Sequence, residues 1–210
     1  MGTARELVIG IDFDNTLVVY DELFWNMAVR RGLVPPAVPR AKREIRDAIR
    51  LLPEGEVHWQ RLQAAAYGPQ IAEAQPAEGA ADFLRQCRAA GARLYVVSHK
   101  TELAGYDETN TNLREAALGW MRAMGLFAPG CLAPGDVYFA ATREEKIARL
   151  AGLGCTHFID DLEETFFEPS FPTDVIRILY APRAPERVPP GVRVAASWNQ
   201  IGEWLFGTKS

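Results

Sequence analysis

The sequence predicts an α/β fold: a doubly wound, mainly parallel sheet with a small α-helical cap inserted into it. Three observations carry that expectation. Short apolar, β-rich runs recur along the chain, helical patterns separate most of them, and one long stretch near the N-terminus lacks any convincing strand. The runs are Leu7 to Ile11, Ala92 to Val97, Val137 to Ala140, His157 to Ile159 and Val175 to Tyr180. Continuous apolar strands such as Leu94-Tyr95-Val96-Val97 suit a parallel sheet covered by helices on both faces, where alternation would put polar side chains in the core. A closing helix is expected from Trp198 to Phe206.

The strandless stretch runs from about Val18 to Gln75 and reads as a helical lid, so the core is expected at residues 1–17 and 76–210 and the cap at 18–75. Leu23, Phe24, Met27 and Ala28 form one apolar stripe, closed by Gly32 and Pro35-Pro36. Ile45, Ile49 and Leu52 form a second, closed by Pro53 and Gly55, and Leu62, Ala65 and Ala66 a third, stopped by Gly68-Pro69. The chain then returns to the sheet through Ala80 to Ala90, where Phe83, Leu84 and Cys87 share a face. No internal repeat or low-complexity tract interrupts this pattern.

Composition narrows the partners. A chain of 210 residues, 48% hydrophobic and 24% charged, can bury one sizeable core plus an accessory element. Its formal net charge of -4 argues against duplex nucleic acid or an anionic membrane as the main partner. Cys87, Cys131 and Cys155 form neither a CxxC pair nor a zinc-spaced set, which fits reduced thiols in a cytoplasm. The opening Leu7 to Ile11 run is too short for a signal peptide, no run is long enough to span a bilayer, and Glu6 stands where a myristoylation signal carries Ser or Thr. A cytoplasmic protein is expected.

Four segments could carry chemistry. Asp12-Phe13-Asp14-Asn15-Thr16-Leu17 follows the first strand, so a two-residue period puts both carboxylates on one side, at the strand end where ligands of open α/β sheets gather. Clustered acids suit a hard cation or an acid beside a nucleophile, although Asp14, Asn15 and Thr16 could equally satisfy a polar turn. At the end of the second strand, Ser98-His99-Lys100-Thr101 offers a hydroxyl and backbone amides for a phosphate oxygen, or merely a helix cap. Thr142-Arg143-Glu144-Glu145-Lys146 opens a helix with Ile147 and Leu150 facing the core, its charges otherwise readable as solvated surface. Finally, His157-Phe158-Ile159 delivers Asp160-Asp161, a second acid pair that could also cap the helix beyond.

Taken in this order, the four segments resemble the motifs of the haloacid dehalogenase superfamily, over roughly residues 5 to 20 and 76 to 180, and among its members a phosphatase type with a helical cap after the first motif. The first motif, an aspartate, any residue, an aspartate, any residue and a threonine, is similar to Asp12-Phe13-Asp14-Asn15-Thr16. The second-motif hydroxyl matches Ser98, the third-motif lysine Lys146, and the fourth-motif acids Asp160 and Asp161. The resemblance implies a Rossmann-like core and a phosphomonoester hydrolase that needs Mg2+. It implies Asp12 as nucleophile, forming an aspartyl-phosphate, and Asp14 as the acid and base that serves leaving group and water. Lys146 would neutralise charge, and Thr16, Ser98, His99 and Lys146 would hold the phosphoryl group. The metal ligands would be Asp12, Asp14 through its carbonyl, and the Asp160-Asp161 pair, with Asp161 the first choice. Members that cleave carbon–halogen bonds characteristically lack an acid at the position of Asp14, so dehalogenation is disfavoured. A phosphotransferase or phosphomutase uses the same residues and stays open, as does a non-catalytic module that keeps the fold.

The expected substrate is a small phosphorylated metabolite, a sugar phosphate, nucleotide or related intermediate. Tyr20, Trp25, Asn26, His58 and Trp59 in the lid, and Tyr106, Asp107, Asn110 and Asn112 beyond Ser98, could touch its leaving group. The alternative for the aromatic residues is packing. Arg30, Arg31, Arg40, Lys42, Arg43, Arg46, Arg50 and Arg61 make the lid basic, either to steer an anion or as solvated helix faces.

Overall fold

A computed structural model describes residues 6–107, 109–185 and 187–207. Among these residues the strands and helices run β1 Val8–Ile11, β2 Val18–Val19, α1 Asp21–Arg30, α2 Lys42–Arg50, α3 Gly55–Tyr67, β3 Gln75–Pro76, α4 Ala80–Ala89, β4 Arg93–His99, α5 Leu113–Ala123, β5 Val137–Ala140, α6 Arg143–Gly152, β6 His157–Asp160, α7 Glu163–Phe167, β7 Ile176–Tyr180, β8 Val192–Ala195 and α8 Trp198–Phe206. No helix of the described residues is long and apolar enough to cross a membrane.

Six strands form one parallel sheet in the order β5-β4-β1-β6-β7-β8. This is the doubly wound, Rossmann-like α/β architecture. The chain winds outward from β1 to β4 and β5, then returns to β1's other side with β6. The strand order therefore reverses between β1 and β6, and in such sheets the crevice outside the carboxyl ends at the reversal is where ligands bind. Because every strand points the same way, all their carboxyl ends lie on one rim. The seven residues of β4 include a run of five buried positions, Leu94 to Ser98, as an inner strand covered on both faces requires.

One face of the sheet packs Tyr95, Val97, Phe158 and Leu179 against Ile147 and Leu150 of α6 and against Phe166 and Phe171. On α4 and α8, Phe83 and Trp198 meet at 4.9 Å between ring centroids, and Tyr180 approaches Trp198 at 5.2 Å. Gly10 in β1 is required by close approach: a Cβ there would fall 2.8 Å from Cδ2 of Phe158 and 3.1 Å from Sγ of Cys155.

The chain divides into two compact units. One holds the chain up to Leu17, Pro76–Lys100 and the chain from Gly125 onward; the other holds Val18–Gln75 and Thr101–Met124. The second unit therefore contains more than the 18–75 segment expected as the cap. Its extra part is Thr101–Met124, which ends in α5, a helix not foreseen from the apolar runs; the expected boundaries had placed this part in the core at 76–210. The physical reason is its buried side. Leu113, Ala117, Trp120 and Met121 are buried, α5 packs on α3 and on the turn at Ile71–Glu73, and the Trp120 indole donates to the Ala74 carbonyl at 3.0 Å.

Within that unit the expected stripes pack as helices. Leu23, Phe24, Met27, Ala28, Ile45, Ile49 and Leu62 are buried, whereas Leu52 lies beyond the end of α2 and is exposed. In the core unit, the edge strand β8 was not foreseen, because its sequence Val-Arg-Val-Ala is short and carries an arginine.

Candidate active site

The rim at β1 and β6 is built by adjacency. β1 pairs with β4 on one side and β6 on the other, so the residues following each strand emerge side by side. Pairing continues past the end of β1, the Asp12 amide donating to the Ile159 carbonyl at 2.8 Å. A tight turn follows: Thr16 and Leu17 both donate backbone N–H groups to the Phe13 carbonyl, and Asn15 takes a left-handed conformation with φ 57°, which asparagine tolerates better than most residues. The turn brings Thr16 back into the buried interior, where its carbonyl accepts from the Trp198 indole at 3.3 Å.

Lys146 is the hub. It lies in the first turns of α6, whose start is fixed by the Thr142 side chain accepting from the Glu145 amide. Its ammonium donates to Asp12 Oδ1 and to Asp160 Oδ2, each at 2.6 Å, and only 2% of its side chain is exposed. A buried ammonium without partners would cost several kcal/mol, so two carboxylates in hydrogen-bond contact are what let it stay. Burial alone would lower the Lys146 pKa, but Asp12 and Asp160 outweigh it and hold the amine protonated. Asp12 shifts the other way. Burial, opposed by the Lys146 ammonium and reinforced by Asp160 and Asp14, pushes its carboxyl up to about 7. In the protein alone, then, Asp12 is held close to the point where it gains or loses a proton.

Asp160 spends its other oxygen on the Leu162 amide at 2.9 Å, which fixes its rotamer. Asp161 is less buried, and its Oδ1 lies 3.5 Å from the Thr16 hydroxyl, a long contact. One carboxylate oxygen from each of Asp12, Asp160 and Asp161 lies within 4.8 Å of the others. An all-carboxylate oxygen set of this size suits a hard divalent cation such as magnesium. Charge agrees: when fully ionised, the carboxyl groups of Asp12, Asp14, Asp160 and Asp161 exceed the ammonium groups of Lys100 and Lys146 by two. The Asp14 carboxylate stands outside the three-acid cluster and is engaged elsewhere.

Its partner is Lys100, which sequence reasoning passed over. The Lys100 ammonium lies 3.1 Å from Asp14 Oδ1 and 2.8 Å from Oδ2, with 2% of its side chain exposed against 20% for Asp14. The signal was available, since Ser98 and Lys100 share a side of β4 by the same two-residue period that links Asp12 and Asp14. Ser98 and Lys100 are both buried. His99, named with Ser98 as a phosphate contact, takes the opposite side: it is exposed, and its ring nitrogen pairs with the Ala141 carbonyl at 3.0 Å.

The proposed leaving-group contacts divide clearly. Tyr20 and Trp59 are buried and stack with Phe24 and Tyr67, which is the packing alternative. Trp25 donates its indole N–H to the Val38 carbonyl beneath the Arg40 guanidinium, while Asn26 is exposed and His58 half-buried. Asp107 accepts from the amides of Thr109 and Thr111, and Asn112 caps α5, so both organise their own loop. Tyr106 and Asn110 are exposed with positive φ, 61° and 51°. Most of the arginines between Val18 and Gln75 sit in exposed or partly exposed ion pairs, Arg30 with Glu73, Arg40 with Glu22, Arg43 and Arg46 with Asp47, and Arg50 with Glu56.

Neither a protein-family model nor a curated protein matches the sequence. Solved structures do. A HAD family hydrolase from Deinococcus radiodurans, with bound phosphate and sodium, is similar over 97% of this chain and 96% of its own at 15% identity and a TM-score of 0.59. A HAD hydrolase from Bacillus subtilis bound to magnesium matches over 97% of this chain and 100% of its own, at 12% identity and a TM-score of 0.60. A dehalogenase matches over 99% and 100% at 14% identity and a TM-score of 0.51. The fold is that of the haloacid dehalogenase-superfamily hydrolases. Within that fold, this chain sets an acid cluster able to hold a metal at the sheet's rim.

Proposed function

We propose that the protein is a magnesium-dependent phosphomonoesterase that acts on a small phosphorylated metabolite through an aspartyl-phosphate on Asp12. One observation carries the reading: Lys146 bridges Asp12 and Asp160 at 2.6 Å each, inside an acid cluster that also takes in Asp161. That is a nucleophile, a charge-neutralising amine and a cation site in one place. The phosphate and magnesium bound by the Deinococcus and Bacillus neighbours support it. Since a dehalogenase shares the fold, the choice of chemistry rests on Asp14, an acid where carbon–halogen cleaving members of the superfamily lack one.

Asp12, Asp160 and Asp161 would hold the metal, with the Asp14 carbonyl as a further ligand. When bound, magnesium would supply positive charge against the phosphoryl oxygens, lowering the cost of bringing two anions together. The remaining steps belong to side chains. An Asp12 carboxylate oxygen attacks phosphorus in line with the ester oxygen, and the bond from phosphorus to that oxygen breaks. Asp14 gives the departing alkoxide a proton. Asp14 then takes a proton from water as the water oxygen attacks the aspartyl-phosphate, the bond to Asp12 breaks, and phosphate leaves. Lys146 offsets negative charge on Asp12 and the phosphoryl oxygens throughout, while Ser98 and Thr16 help to hold the group in line. Three buried, free cysteines support a cytoplasmic site of action.

Release of inorganic phosphate from p-nitrophenyl phosphate tests the reading directly. Activity should need magnesium and fall by about 10⁴-fold or more in Asp12→Asn, the scale on which loss of a nucleophile acts. Turnover of alkyl phosphates should fall by about 10²–10⁴-fold in Asp14→Asn with the fold retained by circular dichroism. Unchanged turnover in Asp12→Asn would refute the mechanism.

A further inference from the structure

Lys100 is a buried cation to which the chemistry above gives no task. Lysine is almost never buried without a partner, and sequestering its ammonium costs several kcal/mol before any ion pair forms. Here the partner is Asp14, contacted through both carboxylate oxygens at 3.1 and 2.8 Å. The two side chains are unequal: Lys100 is enclosed, whereas a fifth of Asp14 is open to solvent. The enclosed member is also anchored by its backbone, because the Lys100 amide donates to the Ala140 carbonyl at 2.9 Å and extends the β4–β5 pairing by one residue. The Phe13 ring, 5.5 Å from Nζ, stands beside the amine. A rigidly seated ammonium thus grips a carboxylate that keeps one side accessible.

We infer that Lys100 is a positioning residue: it fixes the orientation of the Asp14 carboxylate toward the ester oxygen and the attacking water. The inference rests on the proton-transfer role of Asp14 proposed above. An aspartate carboxylate has two side-chain torsions to fix, and misplacement of a proton donor by about 1 Å can cost on the order of 10²-fold in rate. Contact with both oxygens from one fixed amine removes that freedom. Lys100 therefore acts through Asp14, whereas Lys146 acts on Asp12 and Asp160.

The test separates positioning from a purely structural ion pair by varying the leaving group. Departure of p-nitrophenolate needs no proton, while departure of an alkoxide does. In Lys100→Met, kcat/KM should fall about 10- to 100-fold on alkyl phosphates and by at most about threefold on p-nitrophenyl phosphate. In the Asp14→Asn background the same change should cost less than about threefold on either substrate, since the residue through which it acts is gone. Lys100→Arg, which keeps a cation, should recover part of the loss on alkyl phosphates and serves as the second variant if Lys100→Met does not fold. Equal losses on both substrate classes, no loss on either, or a full further loss in the Asp14→Asn background would overturn the inference while leaving the phosphatase reading intact. A wild-type protein inactive on every phosphate ester would overturn that reading and this inference with it.

Discussion

The rim of the sheet in one unit and the helix surfaces of the other use charge in opposite ways. At the rim of the sheet, Lys146 and Asp12 are 134 residues apart in sequence and Lys100 and Asp14 are 86 apart, and each pair is largely withdrawn from water. On helix surfaces of the second unit, Arg46 pairs with its chain neighbour Asp47 and Arg50 with Glu56 six residues on, each pair a third or more open to solvent. Local exposed pairs are what any charged helix surface makes, and they contribute little to stability. Long-range buried pairs exist only because the fold forces the groups together against a desolvation penalty, which is the pattern expected of a reactive site.

Removing the hub is the harshest way to break this contrast. Lys146→Met leaves Asp12 and Asp160 facing each other without a cation and should abolish phosphatase activity. It should also destabilise the metal-free protein by about 3–5 kcal/mol, the usual result of stripping one partner from a buried pair. Urea denaturation in the presence of a chelator measures this.

A subtler probe uses pH. The Asp12 carboxyl has a folded-state pKa of about 7 against an ordinary 3.8. A raised pKa stabilises the fold at low pH, and the contribution fades as pH climbs through the folded value. Relative to Asp12→Asn, the metal-free wild type should therefore lose thermal stability between about pH 4 and about pH 7. Magnesium binds the ionised carboxylate, so the melting-temperature gap between magnesium-loaded and metal-free protein should widen over the same range. A gap that narrows would place the ion elsewhere.

The smallest effect belongs to the helical unit. Arg30→Ala, which removes an exposed pair with Glu73, should change unfolding free energy by no more than about 1 kcal/mol by the same urea assay. A larger loss would mean that the surface pairs of this unit are not the solvated decoration they resemble.

Much of the fold could be read from local pattern. Val137 to Ala140 is strand β5 to the residue, and Phe83, Leu84 and Cys87 form the buried side of α4. The edge strand β8 was missed because Val192 to Ala195 alternates a charge into four residues. Helix α5 was missed, and its membership of the second unit is a matter of what Trp120 and Met121 bury against. The acids at positions 12, 14, 160 and 161 were legible because clustered carboxylates after apolar strands are conspicuous. Lys100 was passed over although it shares a side with Ser98, since only its pairing with Asp14 shows that its charge is buried rather than solvated.

The amino-acid sequence by itself determined five of the six strands of the main sheet and the chemical inventory, with acids, a hydroxyl and lysines following the ends of those strands. Periodicity and turn chemistry are properties of neighbouring residues, so they are written in the order of the letters. Only the tertiary structure decided that β1 lies between β4 and β6, that Lys146 joins two carboxylates, and that Lys100 grips Asp14 while His99 turns away. Those outcomes depend on strand order and on which charges can be buried together, and both are settled by contacts between residues far apart in the chain.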